Sequence, residues 1–159
     1  MRTPVSPPNL VPVREEDFED MLVIRIAALR ESLERLGRFD PQVARARLSA
    51  GFMPQYMHHI EVDGSRAGFV TLRPMPSAET PTLKLEHLYL LPSAQGQGVG
   101  SWVLQWAKAQ AQSAKSDIAL SALQHSDANR FYLRHGFVKT GESDFDIDYR
   151  WSTCGGATA

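Results

Sequence analysis

The sequence predicts one α/β domain built on a mixed sheet with flanking helices. Two observations carry that prediction. The front half contains adjacent β-patterned runs joined at Asp63-Gly64, a dipeptide that supplies the positive φ angles of a tight antiparallel hairpin. The middle reads strand, helix, strand, and such a crossover makes a parallel pair. In chain order the elements are β, α, α, β, β, β, α, β, α, β, β.

Each element has a local reason. "NLVPVR" is a short apolar run interrupted by Pro12, which cannot donate to a ladder, so it is expected at an edge. Phe18, Leu22, Ile26, Leu29, Leu33 and Leu36 recur every three or four residues, one face of a helix that Asp17 can cap and Gly37 can end. Asp40-Pro41 repeats the start signal for a shorter helix that stops at Gly51. "MHHIEV" and "RAGFVTLR" form the hairpin, and "PMPSAETP" is an irregular connection. "TLKLEHLYLL" becomes continuously apolar, as a central strand buried on both faces does, and Pro92 ends it. From Val99, the residues Val103, Trp106, Ala107, Gln110, Ala111 and Ala114 give a helix with a small-residue face. "DIALSAL" is a strand, Ser126 can cap the helix "DANRFYLRH" with Gly136 as its stop, and "FVKTG" and "FDIDYRW" are the last two strands.

The chain has 159 residues, a net charge of −1 and 22% charged residues, so nothing in its charge calls for nucleic acid or an anionic membrane. A lone cysteine, Cys154, excludes an internal disulfide and fits a reducing cytoplasm. No apolar run reaches the ~20 residues of a membrane span. We expect a flexible, proline-rich arm over residues 1–9, a domain over 10–152 and a flexible tail over 153–159.

The most informative stretch is "LPSAQGQGVGSWVLQWA". A strand that stops at a glycine-rich turn and feeds straight into a helix gathers free backbone N–H groups and the positive helix end at one spot, which is an anion site. A P-loop needs Lys-Ser/Thr after its last glycine, and Ser101-Trp102 stands there instead. The dinucleotide fingerprint needs G-x-G-x-x-G, and here Gly96, Gly98 and Gly100 alternate. What remains is Gln95-x-x-Gly98-x-Gly100 after a strand ending in Leu-Pro, and this resembles the coenzyme A pyrophosphate loop of the GNAT superfamily, the acyl-CoA N-acyltransferases. A second segment, "ANRFYLRHGF", is similar to that family's A-x-x-F/L-Y-x-x-x-G-F pattern. The resemblance runs from about Leu10 to Trp151.

The resemblance implies the acyl-CoA N-acyltransferase fold, whose largely antiparallel sheet contains a splayed parallel strand pair, and it implies acetyl-CoA as cosubstrate with no metal. It assigns the backbone of Leu88, Tyr89 and Leu90 to the pantetheine arm, and an amide near Leu90 to an oxyanion. The amides of Gln95, Gly96, Gln97, Gly98, Val99, Gly100 and Ser101 are assigned to the pyrophosphate. Where the family often carries asparagine this chain has His125, which leaves Asn129 as the pantetheine contact from the following helix. Tyr132 resembles the tyrosine that protonates the departing thiolate, and it also reads as a packing aromatic beside Phe131. The resemblance makes a homodimer the common assembly and leaves the acceptor open among small-molecule amines, peptide N-termini and protein lysines.

An amine of pKa about 10.4 must lose a proton before it attacks a thioester. Glu86 shares a strand face with Leu88 and Leu90 and is the expected base or substrate anchor, whereas Lys84 stands where other family members place glutamate. His87 points the opposite way and reads first as a packed, hydrogen-bonded histidine. His58 and His59 are strand neighbours on opposite faces and cannot share a metal ion. Glu142, Asp144, Asp146 and Asp148 read first as a solvated acidic face and second as a cation-attracting acceptor site, Trp102 and Trp106 as packing of the helix on the sheet or on a neighbouring subunit, and Arg25, Arg30, Arg35, Arg38, Arg45 and Arg47 mostly as hydrated helix surface. Two other readings stand beside the enzyme: a non-catalytic acyl-CoA-binding or sensing module of the same fold, and an unrelated nucleotide or phosphate binder.

Overall fold

Seven strands form one mixed sheet in the order β1-β2-β3-β4-β5-β7-β6. The computed structural model describes residues 7–76 and 78–153. Most of the expected arm and nearly all of the expected tail, with Cys154, lie outside them; Asn9 already belongs to β1. The chain divides into two compact units, Met1–Thr71 with His87–Val103 and Leu72–Glu86 with Leu104–Ala159.

The first unit opens with β1 (Asn9–Pro12), antiparallel to β2 (Met57–Val62) at the sheet edge, where the missing N–H of Pro12 does least harm. β2 turns at Asp63 and Gly64, with φ of 51° and 82°, into β3 (Ser65–Pro74), and a bulge at Ile60/Glu61 shifts the register. At Gly68 a Cβ would stand 2.0 Å from the main-chain oxygen of Tyr89, so no other residue fits. Leu91 N–H donates to Ala67 O at 2.8 Å and ties down the end of β4 (Thr82–Leu90).

α1 (Phe18–Arg35) ends as expected: Gly37 has φ +67°, Arg38 N–H donates to Leu33 O and Gly37 N–H to Glu34 O. α2 (Pro41–Ala50) is capped by the Asp40 carboxylate, which accepts from Gln42 N–H at 2.9 Å and Val43 N–H at 3.5 Å. The expected Asp17 cap is not formed. Its carboxylate accepts from Arg14 N–H at 2.9 Å, lies 2.8 Å from Nε2 of the fully buried His59, and also takes Arg66. These partners, the His59 bond foremost, hold the Asp17 carboxyl down at about 2, below the ordinary 3.8. The buried face of α1 also differs from the sequence periodicity. Met21, Leu22, Ile24 and Arg25 are buried, while Phe18, Ile26, Leu29, Leu33 and Leu36 are half-buried, because the stripe turns about Arg25. Met21, Leu22, Leu48, Met57 and Phe69 make the core of this unit.

The second unit contains the start of β4, β5 (Asp117–Leu123), α4 (Ala128–Arg134), β6 (Val138–Glu142) and β7 (Asp146–Trp151). The parallel ladder joins three residues of each strand, Thr82–Lys84 with Asp117–Ala119, a short pairing of the kind a splayed pair requires. β5 pairs antiparallel with β7, and β7 with β6. Ile118, Leu120, Tyr132, Phe137 and Tyr149 are buried.

α3 (Val99–Ser113) buries Val99, Val103, Leu104, Ala107 and Ala111. Leu104 takes a place expected for Gln110 and Ala114, which are exposed, and Trp102 is exposed, so of its two expected packings the one within the chain is not made. Ser126 does not cap α4; its hydroxyl donates to Leu123 O at 2.7 Å. β4 buries Thr82, Leu85 and His87, and its remaining residues are half-buried, so the apolar run is not covered on both faces.

Candidate functional site

The first part of the site is main chain. After β4, a single 3-10 turn (Pro92–Ala94) is closed by Gln95 N–H donating to Pro92 O at 3.2 Å, which removes Gln95 from the amides expected to face a pyrophosphate. Gly96 and Gly98 then adopt φ of +74° and +84°, in a region that glycine enters without cost. Gly98 O accepts the first helical bond, from Trp102 N–H at 3.0 Å. Among the described residues, the N–H groups of Gly96, Gln97, Gly98, Val99 and Gly100 meet no acceptor. They sit where the positive end of α3 opens, and no cation occurs between Leu91 and Ser101.

The glutamines that alternate with these glycines brace the turn. Gln95 Nε2 donates to Leu90 O at 3.1 Å, and Gln97 Nε2 donates to Ser93 O at 2.9 Å. Such a cradle of fixed donors fits a diphosphate, which needs donors more than it needs a counter-charge. Leu88, Tyr89 and Leu90 are half-buried along the end of β4. His87 is buried there, with Nδ1 2.8 Å from Thr71 Oγ1 and its ring against those of Phe69 and Tyr89, which also touch each other, so the packed reading holds.

Arg25 contradicts the surface reading. It is 7% exposed, and its guanidinium carbon lies 5.6 Å from the centroid of the Tyr89 ring. Arg30 and Arg45 are exposed, as expected, and pair with Glu34 and Glu19.

The second part is built from side chains. Glu86 Oε1 accepts from Arg73 at 2.7 Å, both groups being about three-quarters buried, and this bond raises the Arg73 pKa above its ordinary value. The sequence reading missed Arg73, since β3 and β4 are linked by an irregular connection that conceals which residues face each other.

Tyr132 on α4 is 7% exposed and packs its ring at 5.5 Å from Phe137 and 6.2 Å from Tyr149. Asn129 is engaged on both ends of its amide: Nδ2 donates to Leu123 O at 2.9 Å and Ser126 O at 3.0 Å, and Oδ1 accepts from Tyr149 O–H at 2.8 Å. That makes it a brace between β5, β7 and α4, not the open pantetheine contact expected from the sequence. Tyr149 was a second omission, hidden because its hydroxyl partner lies 20 residues away.

Two members of the acidic ladder have local partners, and Glu142 and Asp144 are exposed, as a solvated face requires. Glu142 bonds Lys139, and Asp148 accepts from Ser121 at 2.6 Å. Asp148 also lines a concavity of about 230 Å³ with Lys84 and Arg150, where the mixed charges cancel any acidic field. His59 is tied to Asp17, and His58 sits on the other face of β2, its pKa lowered by burial and then by His59.

Known proteins resemble this chain in sequence and in fold. Residues 54–139 match the family described as Acetyltransferase (GNAT) domain. A stretch of 59 residues is 39% identical to the aminoalkylphosphonate N-acetyltransferase of Salmonella typhimurium; it spans 36% of this chain and 38% of that protein. The fold resembles the PaiA N-acetyltransferase from Thermoplasma acidophilum in complex with coenzyme A, with a TM-score of 0.71 at 14% identity over 92% of this chain and 99% of that one. It also resembles Arabidopsis thaliana Naa50 in complex with the bisubstrate analogue CoA-Ac-MVNAL, with a TM-score of 0.67 at 16% identity over 92% and 99%.

Proposed function

The chain belongs to the GNAT acetyltransferase family, and on that premise we propose that it transfers the acetyl group of acetyl-CoA to a primary amine, by direct attack within a ternary complex. The observation that carries this reading is the run of unengaged amides from Gly96 to Gly100, held open by two positive-φ glycines at the start of α3. Acetyl-CoA supplies a thioester carbonyl and a thiolate leaving group.

The chain's own groups do the rest. The amides from Gly96 to Gly100 grip the diphosphate. The backbone of Leu88–Leu90 lines the pantetheine arm. Glu86, oriented by Arg73, takes the amine proton directly or through water, or anchors the acceptor. Tyr132 gives its phenolic proton to the departing sulfur. Asn129 holds Tyr149 and the start of α4 in place.

The acceptor is a small-molecule or peptide amine. The relatives point to these two classes, one named for aminoalkylphosphonates and one bound to a peptide-bearing analogue. Among the described residues no helix is long and apolar enough to cross a membrane. A cytoplasmic setting, supported by the lone cysteine, and a homodimer complete the proposal.

The engagement of Glu86 by Arg73 favours one rival, an acyl-CoA-binding module without turnover. Thiol release from acetyl-CoA against a panel of amines and short peptides decides between them. Acceptor-dependent release supports the transferase, and thermal protection by acetyl-CoA with no release across the panel supports the rival.

A further inference from the structure

Among the described residues, Arg25 is the one Arg, Lys, Asp or Glu that is buried. Its Nε is enclosed and has no hydrogen-bond partner, and no carboxylate pairs with its guanidinium. Three acids that precede it on the same helix and its start are already engaged. Asp17 holds His59, Glu19 holds Arg45 at 2.7 Å and Asp20 holds Arg66 at 3.3 Å.

What the guanidinium meets instead is the face of the Tyr89 ring. A single cation–π contact recovers less than the desolvation of an unpaired ion costs. In this structure Arg25 therefore stands as a net cost to folding. Its planar fork is suited to an oxyanion held by two parallel bonds.

We propose that Arg25 binds the anionic group of the acceptor, so that the substrate class is a small amine carrying a carboxylate or phosphonate. This rests on the transferase reading above. In that reading the thioester runs along Leu88–Leu90, and the guanidinium lies over the ring of Tyr89 in that same stretch. An anion seated on Arg25 is therefore held beside the strand that presents the acetyl group.

The test uses Arg25→Met, which keeps the shape of the stem and removes the charge, and Arg25→Lys, which keeps the charge and loses the fork. The probes are β-alanine, 2-aminoethylphosphonate and, as a neutral control, ethylamine, each with coenzyme A present for melting curves and with acetyl-CoA present for thiol release. In the wild type, the anionic amines raise Tm and exceed ethylamine in kcat/KM by roughly 10- to 100-fold. The two anionic probes report which oxyanion is preferred. Arg25→Met loses the ligand-induced shift and the preference while its ligand-free Tm equals or exceeds that of the wild type, and Arg25→Lys falls between.

A wild type without preference for anionic amines overturns the proposal. So does an Arg25→Met protein that keeps the preference and either melts lower, which makes Arg25 structural, or binds coenzyme A more weakly, which makes it a cofactor ligand. Arg25-dependent binding of the anionic amines without any thiol release keeps the oxyanion site and rejects the transferase reading instead.

Discussion

The glycine turn of the first unit and the Tyr132–Asn129–Tyr149 cluster of the second are built by different means. In the turn, the donors are main-chain N–H groups, and side chains matter for what they permit: glycine at positive φ, glutamine amides as braces. In the cluster, each bond leaves from a particular side-chain atom, and the bonds to Leu123 and Tyr149 reach other strands. A site of the first kind is damaged by adding a Cβ. A site of the second kind is damaged by removing one oxygen or nitrogen.

Tyr132→Phe gives the largest expected effect. It removes the proposed proton donor and leaves the ring packing, so kcat falls on the order of 100-fold with the coenzyme A Kd nearly unchanged. Thiol-release kinetics together with calorimetric titration check this; an unchanged kcat takes Tyr132 out of the chemistry. Gly98→Ala makes the opposite division. A side chain forced to φ +84° costs about 1–2 kcal/mol, so coenzyme A binding weakens roughly 10-fold while kcat at saturation changes less. A pure kcat defect there would erase the distinction between the two regions.

Asn129→Ala sharpens the comparison from the side of stability. It deletes the acceptor for Tyr149 O–H and the donor to Leu123 O, so stability falls by about 1–3 kcal/mol in chemical denaturation. If coenzyme A affinity falls while stability holds, Asn129 is a direct ligand and the brace is misread.

An effect on stability of similar size lies at Asp17, where the first unit does rely on side chains. A carboxyl lowered from 3.8 to about 2 contributes stability that is complete above the ordinary value. That contribution is lost as pH falls from about 4 towards 2. Asp17→Asn should lose stability at neutral pH and show a flatter acid limb in melting temperature; an acid limb identical to the wild type contradicts the Asp17–His59 bond.

The same contrast explains what was legible in the sequence. The turn could be read because glycine spacing, Pro92 and the helix onset are local, and local signals specify local backbone. Asp63-Gly64, Asp40-Pro41 and Gly37 could be read for the same reason. The pairing of Arg73 with Glu86 could not, since it depends on how two strands register across an irregular connection. Arg25 was misassigned because periodicity assumes that charges face water, and this helix buries one. Asp17 and Ser126 looked like caps, yet each found a stronger or nearer partner after folding. Gly68 gave no sign of its role, because the Tyr89 oxygen that excludes a Cβ arrives from 21 residues away.

In the proposed complex, main-chain amides from Gly96 to Gly100 hold the diphosphate of coenzyme A. The most direct measurement is a nitrogen–proton NMR titration of the labelled protein with coenzyme A and, separately, with pantetheine, which lacks the diphosphate. The account predicts large downfield shifts at Gly96, Gln97, Gly98, Val99 and Gly100 with coenzyme A and small ones with pantetheine. Coenzyme A binding that leaves those five amides unmoved would contradict it.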